Sequence, residues 1–165
     1  MTVISDSSPL ITLAKIGRLE LLPRLYRTIT ITPQVYTEIV VNGKGLAASV
    51  EIAAAKWIEV KPVRNEDALK IAQQTYGLGI GELSTIFLGK ELRAALVLLD
   101  DAKARRAAQQ EGLAVLGCVG VMEDAFGLQL LSDLPEAYRQ LLTSGAYVDP
   151  KILGTSLKRL NLPPL

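Results

Sequence analysis

Two short β-branched runs in this chain end in the same way. Thr2 to Ser5 (TVIS) leads through Asp6-Ser7 into Ser8-Pro9, and Thr28 to Ile31 (TITI) leads into Thr32-Pro33. A hydroxyl residue ahead of proline marks a helix start, because its oxygen takes up free backbone N–H groups and proline fits the first turn. Each run therefore reads as a buried strand feeding directly into a helix. The alternation continues with strands at WIEV (57–60), ALVLL (95–99) and LAVLG (113–117). Helical patterns lie in QVYTEIV, LAASVEIAAAKW, Glu66 to Tyr76, ELSTIFLGKELR, AKARRAAQQEG and VGVMEDAFGLQLL. Strands separated by helices pair in parallel through crossovers, which places helices on both faces of the sheet. The expected fold is one α/β domain over residues 1–165, a three-layer α/β/α arrangement around a central, mostly parallel sheet of four to five strands. Residues 134–165 read as a C-terminal helical extension, with a helix at PEAYRQLL, a turn at Ser144-Gly145 and a last helix around Pro150 to Leu160.

Composition narrows the chemistry. The net charge is +1, so no global basic field attracts nucleic acid, and any phosphate contact has to be local or run through a metal. The chain has no histidine, which excludes histidine triads, histidine general bases and most zinc sites. The one cysteine, Cys118, sits in the apolar stretch LAVLGCVGV and reads as a small buried residue rather than a reactive thiol. A single cysteine forms no internal disulfide, which suits a reducing compartment. No apolar run is long enough to span a bilayer, and the first residues lack the basic start and cleavage site of a signal peptide. A soluble, cytoplasmic protein is expected, with no membrane partner.

Ligands of open α/β sheets bind beyond the carboxyl ends of the strands. The acids there are Asp6, after the first strand, and Asp100 and Asp101, after ALVLL. Glu38 and Glu82 sit on helices leading away from the same edge. Asp100 and Asp101 each have a plain alternative as helix caps, and Glu82 as a favourable charge at a helix start. Asp6 is less easily explained so, because Ser8 already fills the capping position before Pro9. Glu38 borders the buried stripe of Val35 and Ile39, where an unpaired carboxylate is unfavourable. Four or five acids meeting at one edge repel one another and either take up protons or bind a cation. All-oxygen donors of this kind suit Mg²⁺ or Mn²⁺, which activate water and offset charge building on a phosphodiester.

The segments VISDSSPLI, ITPQVYTEIV, GIGELSTIFLGKEL and VLLDDAKARRAAQQEGLAVLG together resemble the PIN domain, the metal-dependent ribonuclease fold shared by VapC-type toxins. The likeness runs from about Thr2 to Leu131 and is nearest to a bacterial and archaeal PIN-like subgroup. It implies that Asp6 is the first metal-site carboxylate, Ser8 the small hydroxyl residue supporting it, Glu38 the second acid and Glu82 the third, where many PIN domains carry Asp. Asp100 or Asp101 supplies the fourth. The resemblance further implies cleavage of RNA, a homodimer and, in many members, a toxin neutralised by a small antitoxin protein.

Other features carry less. Arg105 and Arg106 follow the acid pair; Arg105 reads either as an i,i+4 partner of Asp101 or as a phosphate contact beside the metal. Gly77, Gly79 and Gly81 lack the lysine and hydroxyl of a phosphate loop and read as turn residues. Trp57 reads as a core or interface anchor. Two functions compete with a Mg²⁺/Mn²⁺ endoribonuclease: a PIN-like regulatory binding module with weak or no catalysis, and a phosphotransfer or phosphatase domain. The latter needs a lysine at the end of LAVLG, and none is there.

Overall fold

The computed structural model describes residues 1–165. Five strands, β1 (Val3–Ser5), β2 (Ile29–Ile31), β3 (Ile58–Val60), β4 (Leu96–Leu98) and β5 (Val115–Leu116), form one sheet in the order β3-β2-β1-β4-β5. Every neighbouring pair is parallel, with Ile4 of β1 opposite Thr30 on one side and Val97 on the other. The chain builds outward from β1 through β2 to β3, then crosses back to place β4 on the other side of β1. The order thus reverses between β1 and β4, and in such sheets the crevice opens beyond the carboxyl ends of the strands at that point.

Ten α-helices surround the sheet: α1 (Ser7–Lys15), α2 (Leu21–Tyr26), α3 (Pro33–Tyr36), α4 (Ala47–Ala54), α5 (Glu66–Tyr76), α6 (Ile80–Glu91), α7 (Ala102–Gln110), α8 (Cys118–Gly127), α9 (Leu134–Thr143) and α10 (Pro150–Arg159). Side chains alternate across the strands, as a pleated backbone requires. Val3 and Leu98 enter a large apolar core with Ile29 and Ile31, while Ile4, Val97 and Leu99 enter a smaller core on the opposite face. The large core holds residues of α1, α2, α3, α4, α8, α9 and α10, and the small core residues of α5, α6 and α7. The sheet is covered on both faces, the three-layer architecture expected.

The C-terminal helices share the large core. Leu134, Ala137, Tyr138 and Leu141 of α9 and Leu153 and Leu157 of α10 are all buried in it. Tyr138 Oη lies 2.6 Å from Ser156 Oγ, and Ser156 donates to Glu123 Oε1 at 2.5 Å, joined there by Arg159. Ser156 has one hydroxyl proton, so the chain of donors runs Tyr138 to Ser156 to Glu123 and ties α9 and α10 to α8. Burial, with the Glu123 charge, pushes the Tyr138 phenol up to about 12, so it stays a donor at physiological pH.

Two local expectations are corrected. The first helix begins at Ser7, with Asp6 in the cap position, so Ser8 lies inside the first turn and does not cap it. Proline is accepted three residues into the helix because its missing N–H is one that has no intrahelical partner there. QVYTEIV is not a regular α-helix either. After α3 it widens into a π turn over Thr37–Val41, in which the Asn42 N–H donates to Thr37 O at 2.9 Å. Gly77 closes α5 with a left-handed φ of 62°, a turn role as expected.

Candidate metal centre

Asp6 sits where β1 ends and α1 begins. Its N–H donates to Leu98 O at 3.0 Å, which continues the β1–β4 ladder and holds the residue against the reversal point of the sheet. The side chain is 4% exposed, makes no capping bond, and its Oδ1 has no hydrogen-bond partner. Burial is the chief reason its carboxyl is pushed up to about 7; the N–H of Ser7 opposes the shift, and the charges of Glu38, Glu82 and Asp100 add to it. An orphaned, buried carboxylate oxygen costs on the order of 1–3 kcal/mol or more unless it is protonated or given a partner.

Asp100 and Asp101 separate into two roles. Asp100 Oδ1 accepts from the Cys118 N–H at 2.7 Å, and its Oδ2 accepts from Ser8 Oγ at 3.3 Å. It therefore joins the end of β4, the first turn of α1 and the start of α8, and its charge bears on Asp6. Asp101 caps α7 by accepting from the Ala104 N–H at 2.8 Å, and its charge bears on Glu82. Ser8 supports the cluster through Asp100 rather than through the helix start.

Glu38 is carried by the π turn, and its Oε2 accepts from Ser7 Oγ at 2.7 Å. This is the partner that a carboxylate beside Val35 and Ile39 requires. Gly81 makes room for it: a Cβ at that position would stand 2.5 and 2.6 Å from the two Glu38 carboxylate oxygens. Gly81 lies inside α6, so its role is close approach and not turn geometry. Glu82, one residue on, accepts from the Gly79 N–H at 3.0 Å. Burial raises its pKa, against the Gly79 N–H and Lys103, while Asp101 and Glu38 add to the rise.

Three hydroxyls hold the carboxylate-bearing segments together: Thr32, which the sequence marked only as a helix cap, and Ser84 and Thr85, which sequence reasoning missed. Thr32 Oγ1 lies 2.7 Å from Ser84 Oγ, and Ser84 and Thr85 both donate to Gly81 O at 2.8 Å. This buried hydroxyl chain pins α3 to α6, so the backbones bearing Glu38 and Glu82 keep a fixed spacing. Nothing in a lone Thr or Ser separated by fifty-odd positions signals such a pair. The Asp101–Arg105 ion pair is not formed; the Asp101 carboxylate is taken up by the Ala104 N–H instead. The Arg105 guanidinium lies instead beside Gly117, on the side of Asp100.

The donor chemistry fits a hard divalent cation. The five acids offer only oxygen, and the buried Asp6 Oδ1 is free to take a ligand. No three of them converge on one point as they stand. Glu38, Glu82, Asp100 and Asp101 each accept from a neutral N–H or O–H donor, contacts that offset part of their mutual repulsion.

The family model DUF3368, described as a PIN domain, matches residues 2–162. The chain belongs to the PIN-domain family. Among solved structures, this PIN domain is similar to the crystal structure of PAE2754 from Pyrobaculum aerophilum, with a TM-score of 0.52 and 11% identity. That match covers 81% of this chain and 98% of the other, and at such identity it speaks for the fold alone. None of the curated proteins matches this PIN domain. The fold is a nuclease-type fold, and no helix is long and apolar enough to cross a membrane.

Proposed function

We propose that this PIN domain is a cytoplasmic Mg²⁺- or Mn²⁺-dependent endoribonuclease, with Asp6, Glu38, Glu82 and Asp100 as its working acids. The observation that carries the reading is Asp6: a buried carboxylate at the reversal point of the sheet, with one oxygen unpartnered and three acids near enough to raise its pKa. A bound divalent cation supplies an activated water and offsets the charge that builds on the phosphodiester. The chain's own residues do the rest. Asp6 gives up its proton and presents the free Oδ1. Asp100 is held in place by Cys118 N–H and Ser8. Asp6, Glu38 and Glu82 would hold the cation through their carboxylate oxygens, and Asp101 keeps capping α7 while adding negative charge. Arg105 stands beside Gly117, where a phosphate leaving the acids would meet it.

Without histidine, an imidazole-based attack by the ribose 2′-OH has no acid–base pair to run it. Water is then the nucleophile, and the products carry 5′-phosphate and 3′-hydroxyl ends. The test is incubation with single-stranded and structured RNA in Mn²⁺, with and without chelator, followed by end mapping. Cleavage that survives chelation, or products ending in a 2′,3′-cyclic phosphate, would overturn the mechanism. Failure of the folded, Mn²⁺-loaded protein to cut any RNA would favour a regulatory PIN-like binding module.

Gly81→Ala gives a second test. Alanine suits a helix interior, so stability should change by less than about 1 kcal/mol. The new methyl group displaces the Glu38 carboxylate, and cleavage should fall roughly 10²-fold, the scale of an ångström-size misplacement. Unchanged cleavage would take Glu38 out of the working set.

The same reading extends to assembly: residues 1–165 act as one domain that pairs as a homodimer, and an antitoxin protein restrains it as a toxin. Exposed Val41, Leu46 and Val50 around α4 support a protein-covered face. Light scattering at micromolar concentration should give twice the monomer mass; a monomer at every concentration would remove the dimer.

A further inference from the structure

An open cleft of about 310 Å³ lies beside Glu38, lined by Pro33, Gln34, Thr37, Glu38, Asn42 and Ile80. It is continuous with the acid cluster through Glu38, which faces both. We propose that this cleft is a nucleobase subsite: it holds one unpaired base next to the scissile phosphate, and the Gln34 and Asn42 amides set which base is preferred. The proposal rests on the ribonuclease reading for its substrate class.

The lining decides the ligand's chemistry. It contains no lysine or arginine and one carboxylate, so a phosphate group placed there meets repulsion and no counter-charge. The cations near the acids stand elsewhere, on α7: Lys103, which donates to Gly77 O and bears on Glu82, and Arg105 beside Gly117. A strand crossing the acids therefore has its phosphates drawn to α7 and a neutral group turned towards α3. The volume suits one flat polar ring and its sugar, at the small end of ligand pockets. Ile80 offers the apolar contact that a base face needs, and Thr37, Asn42 and Gln34 offer donors and acceptors for its edge.

Gln34 adds an independent sign. Its Oε1 is shielded from solvent and has no donor. A side-chain amide left so is short of a partner, and a half-turn about its last bond would exchange its oxygen and nitrogen, so that one atom of the amide meets a complementary atom on a base edge. The π turn supplies the second amide. The Asn42 N–H closes the wide turn on Thr37 O, which sets residues 37, 38 and 42 along one rim.

Two measurements separate this inference from the reaction it builds on. The first maps cuts made by wild type, Gln34→Ala and Asn42→Ala in a random-sequence single-stranded RNA pool with Mn²⁺. Wild type should show roughly tenfold preference for one base at a single position beside the cut, and each alanine variant should flatten it below about twofold, chiefly by losing cleavage at the preferred base. The second titrates Asp6→Asn protein, labelled at its side-chain amides, with the four nucleoside 5′-monophosphates and follows the Gln34 and Asn42 signals by NMR. Both signals should move most for the preferred base. Cleavage with no base preference, or with one that both variants keep, overturns the subsite while leaving the ribonuclease intact. Amide shifts without cleavage of any RNA uphold the subsite and overturn the ribonuclease. Shifts that are equal for all four nucleotides or absent remove the base-reading role.

Discussion

Asp6→Asn should lower RNA cleavage by about 10³-fold or more and at the same time make the metal-free protein more stable at alkaline pH. The second effect follows from linkage. In the folded chain the Asp6 carboxyl is pushed up to about 7 from an ordinary 3.8, so between those values the folded state holds a proton that the unfolded chain has released. Its stabilising contribution is complete below the unfolded pKa. It is lost as pH rises through the folded value, at about 1.4 kcal/mol per pH unit and about 4 kcal/mol at most. Asparagine does not titrate, so the variant should lack this part of the slope. Urea unfolding of both proteins at pH 5 and pH 8, in chelator, reads the difference. Parallel stability–pH curves would mean that Asp6 is not held protonated in the fold. Adding Mn²⁺ at pH 8 should raise the melting temperature of the wild type and leave the variant nearly unmoved, since only a ligand bound to the folded state stabilises it.

The other large effect lies far from the acids. Tyr138 is fully buried and its hydroxyl starts the chain through Ser156 to Glu123. Tyr138→Ala should cost about 3–5 kcal/mol, from lost apolar contact and the cavity left between α9 and the large core. The melting temperature should fall by roughly 6–20 °C for a chain of this size. Tyr138→Phe keeps the ring and should cost only about 1–2 kcal/mol, because Ser156 still serves Glu123. If Tyr138→Ala changed stability by under about 1 kcal/mol, the last two helices would be an appendage that the core does not need. The same result would detach residues 134–165 from the single domain.

Why some of this was readable from residue order follows from the physics of each signal. A parallel sheet buried on both faces leaves short apolar strands cut off by polar residues, so β1, β2 and β4 stood out, as did the acids at their ends. The Asp100-Asp101 pair was readable as a pair but not as two roles. The choice between them depends on which carboxylate meets the Cys118 N–H, a contact across the sheet that local order does not encode. Ser8-Pro9 misled because a hydroxyl before proline usually caps, whereas here Asp6 holds the cap position without capping. Gln34 gave no signal, since an amide on a helix looks like solvated surface, and Asn42 signalled only the end of its helix. Gly81 was seen but assigned to a turn, because its reason is a side chain more than forty residues earlier in the chain.

A π turn is one residue more than an α-helix needs, and that surplus makes a prediction about chain length rather than chemistry. Five residues, Thr37–Val41, bridge what four would bridge in a regular helix. Removing one residue from 39–41 would let α3 run on with ordinary hydrogen bonds, a backbone gain. The residues after the cut would keep nearly their present phase, because four residues would then span what five span now, and the Asn42 N–H would still close on Thr37 O. What the extra residue sets is the width of the turn that carries Glu38. A shortened chain of this kind keeps every acid and both amides but draws the Glu38 backbone in towards the helix axis, so the length of this helix, independently of any side chain, sets how far Glu38 stands out towards Ser7 and Gly81.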